Sequence, residues 1–117
     1  MASLASYAKD RGVKYFLIAF VDLFGTMRAK IVPATAIDTI AKSGAGFAGF
    51  ATWLDLTPAH PDMLVMPDAD TLIQLPWKPE VGWLASDLIM GGEEVAAYPR
   101  KILKAQIEAA ATRRFNT

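Results

Sequence analysis

Two hydrophobic rhythms, one of period two and one of period three to four, divide this chain into predicted elements. Residues 2–11 have moderate helix propensity, and Gly12 is a natural helix stop. Residues 14–22 (KYFLIAFVD) are aromatic and β-branched, which predicts a buried strand. LFGT breaks it, with Gly25 supplying a turn. Residues 27–32 then alternate, with Arg28 and Lys30 on one face and Met27, Ala29 and Ile31 on the other. That is a half-exposed strand, and the pair forms a β-hairpin. Pro33 closes it and opens a helix over 34–42, whose Ile37, Ile40 and Ala41 share a face; Gly44 ends it. Residues 44–62 show little periodicity and read as a long loop of the kind that usually carries function. Phe47, Phe50 and Trp53 argue against disorder there.

Short strands are predicted at 63–66 and 71–75, separated by the turn PDAD, and a longer one at 81–90, bounded by Gly91 and Gly92. A final helix spans 98–115, with Pro99 in its first turn and Ile102, Leu103, Ile107 and Ala110 as its apolar stripe. Hairpin, helix and further strands in that order predict an α+β fold with a mixed sheet, close to a β-grasp, with helices at both ends.

Composition adds a question. Counted with glycine and without tyrosine, 67 of 117 residues are apolar, whereas ordinary soluble domains have about 45–50%. Twenty are Ala, yet the excess still suggests apolar surface meant for something outside the chain. The net charge is zero, which argues against a nucleic-acid partner. The charges are nevertheless segregated: residues 53–97 carry eight acids against one base, and 98–117 five bases against one acid. The basic tail reads as cations on the exposed face and last turns of a helix. With no cysteine and one histidine, disulfides, thiolate sites and multi-histidine metal sites are excluded. The N-terminus is charged and lacks the apolar core of a signal peptide, and no apolar run approaches the ~20 residues that span a bilayer. The simplest expectation is a soluble, cytoplasmic protein without a membrane partner.

Candidate chemistry is sparse. Gly44, Gly46 and Gly49 match G-x-G-x-x-G, but they follow a helix rather than a strand, so a helix stop and a close backbone approach explain them better than a dinucleotide site. Asp68 and Asp70 offer two carboxylates, too few for a metal, in a Pro-Asp turn. Asp22 is placed to be either a general base or a turn cap, and the cap is the simpler reading. His60 has no triad spacing, and Trp53, Trp77 and Trp83 read as core or interface packing rather than a stacking surface. No complete catalytic constellation is present.

Four stretches, in order, resemble the N-terminal domain of glutamine synthetase. These are FVDLFGTMRAKIVP at 20–33, GFAGFA at 46–51, DMLVMPDADT at 62–71 and YPRKILK at 98–104. The second is similar to that family's Phe-Asp-Gly-Ser-Ser loop. The third matches its Asp-Met-x-x-x-Pro-Asp-x-x-Thr segment, and the fourth its Pro-Arg-x-x-Leu-Lys helix start. The resemblance implies a β-grasp domain over 1–97, and over 98–117 the start of a helix leading into a catalytic domain absent from this sequence.

It further implies an ATP-dependent ligase that amidates the glutamate side chain through an acyl phosphate. Mg2+ or Mn2+ would be held by carboxylates beyond Thr117. The partners would be the chain's own catalytic domain and identical subunits in a ring-shaped homo-oligomer. The family loop reaches the neighbouring subunit's active site, and its Asp binds ammonium and takes its proton. By position the amine-site loop is Phe47, Ala48, Gly49, Phe50 and Ala51, with that Asp replaced by Ala48 and the two Ser by Phe50 and Ala51. An apolar loop suits an alkylated amine better than ammonium, so a glutamate–methylamine ligase stands beside a glutamate–ammonia ligase. The fragment alone is expected to be inactive, without catalytic or metal-binding residues. A stand-alone β-grasp interaction module is the alternative.

Overall fold

The computed structural model describes residues 3–48, 59, 62–95 and 98–113. Helix α1 (Leu4–Arg11) starts where the Ser3 hydroxyl accepts a hydrogen bond from the Ser6 amide, and it stops at Gly12 in the left-handed conformation. Strands β1 (Tyr15–Val21) and β2 (Met27–Pro33) form the predicted hairpin. A 3-10 turn (Ala34–Ala36) leads into α2 (Ile37–Ser43). Next come β3 (Ala45–Phe47), β4 (Met63–Pro67), the two-residue β5 (Ile73–Gln74) and the long β6 (Val81–Met90). A short β7 (Glu93–Glu94) precedes α3 (Pro99–Thr112).

The sheet order is β2-β1-β6-β4-β3, with β5 and β7 also paired to β6. Only β1 and β6 run parallel, Tyr15 opposite Val81 and Ala19 opposite Ala85; the other pairs are antiparallel. A hairpin joined through a helix to a central parallel strand gives the expected mixed α+β, β-grasp-like sheet. The main departures lie at element ends. Residues 44–62 were expected to be loop throughout, yet 45–47 pair with β4 as β3. The strand expected over 71–75 shrinks to two residues because Thr71 lies in a 3-10 turn (Ala69–Thr71). Its hydroxyl donates to the Asp68 carbonyl at 2.7 Å and accepts from the Ala85 amide at 2.9 Å, replacing a strand pairing.

One sheet face carries the core. Phe16, Ile18 and Phe20 of β1 meet Leu84 and Leu88 of β6, Val65 of β4, Leu4 and Ala8 of α1 and Ile37 of α2. The alternation in β2 is present, but its sides are used unexpectedly. Val32, on the same side as Arg28 and Lys30, is buried, whereas Met27 and Ile31 are 57% and 65% exposed. The two cations tolerate the inner side because each finds an oxygen there: Arg28 the Asp22 carboxylate, Lys30 the Gly46 carbonyl. The opposite sheet face is correspondingly apolar and open.

Candidate functional site: the β3 edge and the open sheet face

The glycines of the G-x-G-x-x-G match build the approach to the site. Gly44 caps α2 at φ 77°, ψ 165°, a region essentially reserved for glycine, and its amide donates to the Ile40 carbonyl at 2.7 Å. A Cβ there would lie 2.6 Å from Met66 Sδ on β4. Helix stop and close approach therefore meet at one residue, as the sequence suggests. The chain turns directly into β3, where Ala45, Gly46 and Phe47 pair with Val65, Leu64 and Met63.

The end of β3 is held from across the curled sheet. The Phe47 ring stands edge-on to Phe20 of β1, with centroids 5.3 Å apart and planes at 87°. The Lys30 ammonium of β2 donates to the Gly46 carbonyl at 2.8 Å. Strands at opposite ends of the sheet order are thus tied together. Of the predicted amine-site loop, Phe47 and Ala48 sit half-buried at this point; Gly49, Phe50 and Ala51 lie outside the described residues, as do Trp53 and His60. Sequence reasoning missed Phe20 and Lys30, because nothing local indicates that a hairpin will meet a strand on the far side of the sheet.

Asp22 resolves as the cap. It is 1% exposed, and its Oδ1 accepts the Phe24 and Thr26 amides while Oδ2 accepts Arg28 Nε at 2.9 Å. Burial pushes its carboxyl upward, but the Arg28 hydrogen bond, the two amides and the Arg28 charge together hold it below the usual carboxylate value. A carboxylate satisfied on both oxygens is a poor base. Asp68 accepts the Asp70 amide and the Arg100 guanidinium, so its carboxylate is taken up by the turn and by α3.

Two cations of the basic tail depart from expectation. Arg100 and Lys104 occupy the first turns of α3, not the last, and face the sheet. Asp87 Oδ1 of β6 accepts Lys104 Nζ at 2.8 Å and Arg100 Nε at 3.2 Å, and Arg100 also reaches Asp68. Burial raises the Asp87 carboxyl, but the Lys104 and Arg100 contacts outweigh it and hold the group below its ordinary value. Tyr98, fully buried, donates to Glu94, and burial together with that carboxylate pushes its hydroxyl well above the ordinary tyrosine value. Arg100 and Lys104 of the basic tail and Asp68, Asp87 and Glu94 of the acidic middle therefore form one ionic cluster. Among the described residues no three His, Cys, Asp or Glu side chains gather as a metal site would require.

Away from the Asp87 cluster, the open face is mainly apolar. Leu17, Met27, Ile73, Leu75, Trp77 and Trp83 line a shallow groove of about 610 Å3. A cleft of about 280 Å3 between the sheet and the start of α3 is lined by Met27, Trp83, Ser86, Pro99, Arg100 and Leu103. Trp77 is 80% exposed, so of the two kinds of packing that the sequence suggests, core or interface, it is not in the core. The apolar stripe of α3 is also uncovered: Ile102, Leu103 and Ile107 are all exposed. Among the described residues, no helix is long and apolar enough to cross a membrane.

Comparison with known proteins locates this arrangement. No family model matches the chain. It is 56% identical over 108 residues to a glutamine synthetase of Rhizobium leguminosarum bv. phaseoli, covering 92% of this chain and 25% of that protein. It is 39% identical over 104 residues to a glutamate–methylamine ligase of Methyloversatilis universalis, covering 87% and 24%. A solved GmaS/ADP complex superposes with a TM-score of 0.92 at 53% identity, over 97% of this chain and 26% of that one. The chain spans about a quarter of the length of the curated relatives it matches.

Proposed function

This chain belongs to the glutamine synthetase family, matching the N-terminal portion of its members, and we propose that it serves as the N-terminal domain of an ATP-dependent ligase that amidates the glutamate side chain. The identity of 56% over nearly the whole chain carries this reading. In the proposed reaction a phosphoryl group passes from ATP to the side-chain carboxylate, releasing ADP. An amine then attacks the acyl phosphate, phosphate leaves, and the amine nitrogen gives up a proton to a base. Asp22, Asp68 and Asp87 are committed to cations, so the described residues do not fit a divalent-metal site. Metal and nucleotide handling fall to a catalytic domain following α3.

The domain contributes two things in this reading. Residues 47–51 line the amine site of a neighbouring identical subunit. The open apolar face, with Trp77 and Trp83, packs against protein outside the described residues, either the catalytic domain or the adjacent subunit of a ring. Such a continuous exposed apolar patch is unusual for a monomer and marks an interaction surface. The amine is ammonia or methylamine. Ala48, Phe50 and Ala51 provide neither a carboxylate for ammonium nor hydroxyls, which favours the alkylamine.

The test is to express the full-length protein that carries this sequence and to measure ADP release dependent on glutamate and on each amine. Comparable or higher kcat/KM with methylamine supports the alkylamine assignment; much higher kcat/KM with ammonia removes it. The open face alone also favours a stand-alone interaction module. Reading the gene beyond codon 117 separates the two: a catalytic domain with a Glu-x-Glu segment supports the ligase, and a stop codon the module.

A further inference from the structure

We propose that Lys30 and Phe20 are positioning residues for the amine site, holding Phe47 and Ala48 in place from the opposite end of the sheet order. This rests on the reading of 47–51 as the amine-site segment. Three observations carry it. First, β3 is only three residues long and pairs with β4 alone, so its own ladder leaves its last residue weakly fixed. Second, Lys30 lies on the inner side of the edge strand β2, where its ammonium reaches the Gly46 carbonyl at 2.8 Å, one residue before Phe47. An edge-strand lysine ordinarily serves to keep other chains from pairing there; this one is turned inward onto a backbone oxygen. Third, Phe20 is 4% exposed in the core near the end of β1, and its edge-to-face contact ties Phe47 to that buried ring.

The two contacts differ in kind. The ring contact fixes how deep Phe47 sits. The charge-assisted hydrogen bond fixes where the backbone lies along β2. A small displacement of Phe47 and Ala48 would alter the space and polarity offered to an amine and leave the glutamate and ATP sites untouched. Lys30 touches neither substrate nor reacting atoms in this scheme; it acts through Gly46.

The experiment compares Lys30→Met, which keeps the stem and removes the ammonium, with Lys30→Arg, which retains a cationic donor, both in the full-length protein. For Lys30→Met the amine KM is expected to rise roughly fivefold, equivalent to one modest hydrogen bond. The kcat and the KM values for glutamate and ATP should stay within about twofold, and Lys30→Arg should restore most of the loss. Amide exchange at Phe47 and Ala48 should be faster in Lys30→Met, with Tm lowered by no more than about 2 °C. An unchanged amine KM, or a common rise in all three KM values, overturns the proposal. If the wild-type protein releases no glutamate- and amine-dependent ADP, the ligase reading fails instead. The exchange comparison still decides whether Lys30 holds Phe47 and Ala48.

Discussion

At the scale of single residues, the fold draws on a few satisfied polar groups and on one position that only glycine fits. Asp22 has a folded-state pKa below its unfolded value, so its contribution is fully present above the unfolded pKa of about 3.9 and is lost as pH falls through the lower folded value. Asp22→Asn should therefore lower Tm at pH 7, and the gap to wild type should narrow in melts below about pH 3. A gap that persists unchanged in acid would mean that the Arg28 pair contributes nothing. Gly44→Ala should cost roughly 2 kcal/mol in urea titration, because alanine is strained at that backbone conformation and its methyl meets Met66. Gly46→Ala is the control, since a Cβ there meets nothing within 4 Å. Gly44, Gly12 and Gly25 were legible from sequence because local turn chemistry names its own residues. The partners of Lys30 and Asp87 were not, because each lies on an element remote in sequence.

At the scale of elements, α3 depends on charge rather than burial. None of its residues is buried, and its first turns are fastened through Arg100 and Lys104 to Asp87 and Asp68. Asp87→Asn should speed amide exchange across α3 and cost about 1 kcal/mol, a modest figure because the cluster is partly exposed. Raising the salt to 1 M should shrink the difference between wild type and variant. If exchange in α3 is insensitive to both changes, the helix is held by something else. The helix itself was readable from Pro99 and its apolar stripe, but the exposure of that stripe was not. Periodicity tells which residues share a face and is silent on what covers it. The same limit applies to β2, where Met27 and Ile31 keep the predicted side together yet face outward.

At the scale of the whole molecule, the surplus of apolar residues and the open sheet face have the same cause. Tyr15, Met27, Ile31, Ile73 and Trp77 are all roughly half exposed or more on or beside the sheet. The 117-residue chain on its own should bind a hydrophobic dye and self-associate in sedimentation runs, and Ile31→Lys with Trp77→Lys should suppress both without lowering Tm. Dye binding that survives the double substitution would point to a loosened core instead. The fold class was readable because the hairpin, helix and long strand follow one another in a distinctive order; the uncovered face was visible only as an unexplained excess. The central position of β6 also governs when the molecule can form. It pairs with β1, β4, β5 and β7, and its bond to β1 joins residues 66 positions apart, as in Tyr15 and Val81. A chain growing on the ribosome therefore carries a hairpin and a cluster of short strands with no common partner until residue 90 has cleared the exit tunnel. Synthesis must nearly finish this domain before its sheet can close.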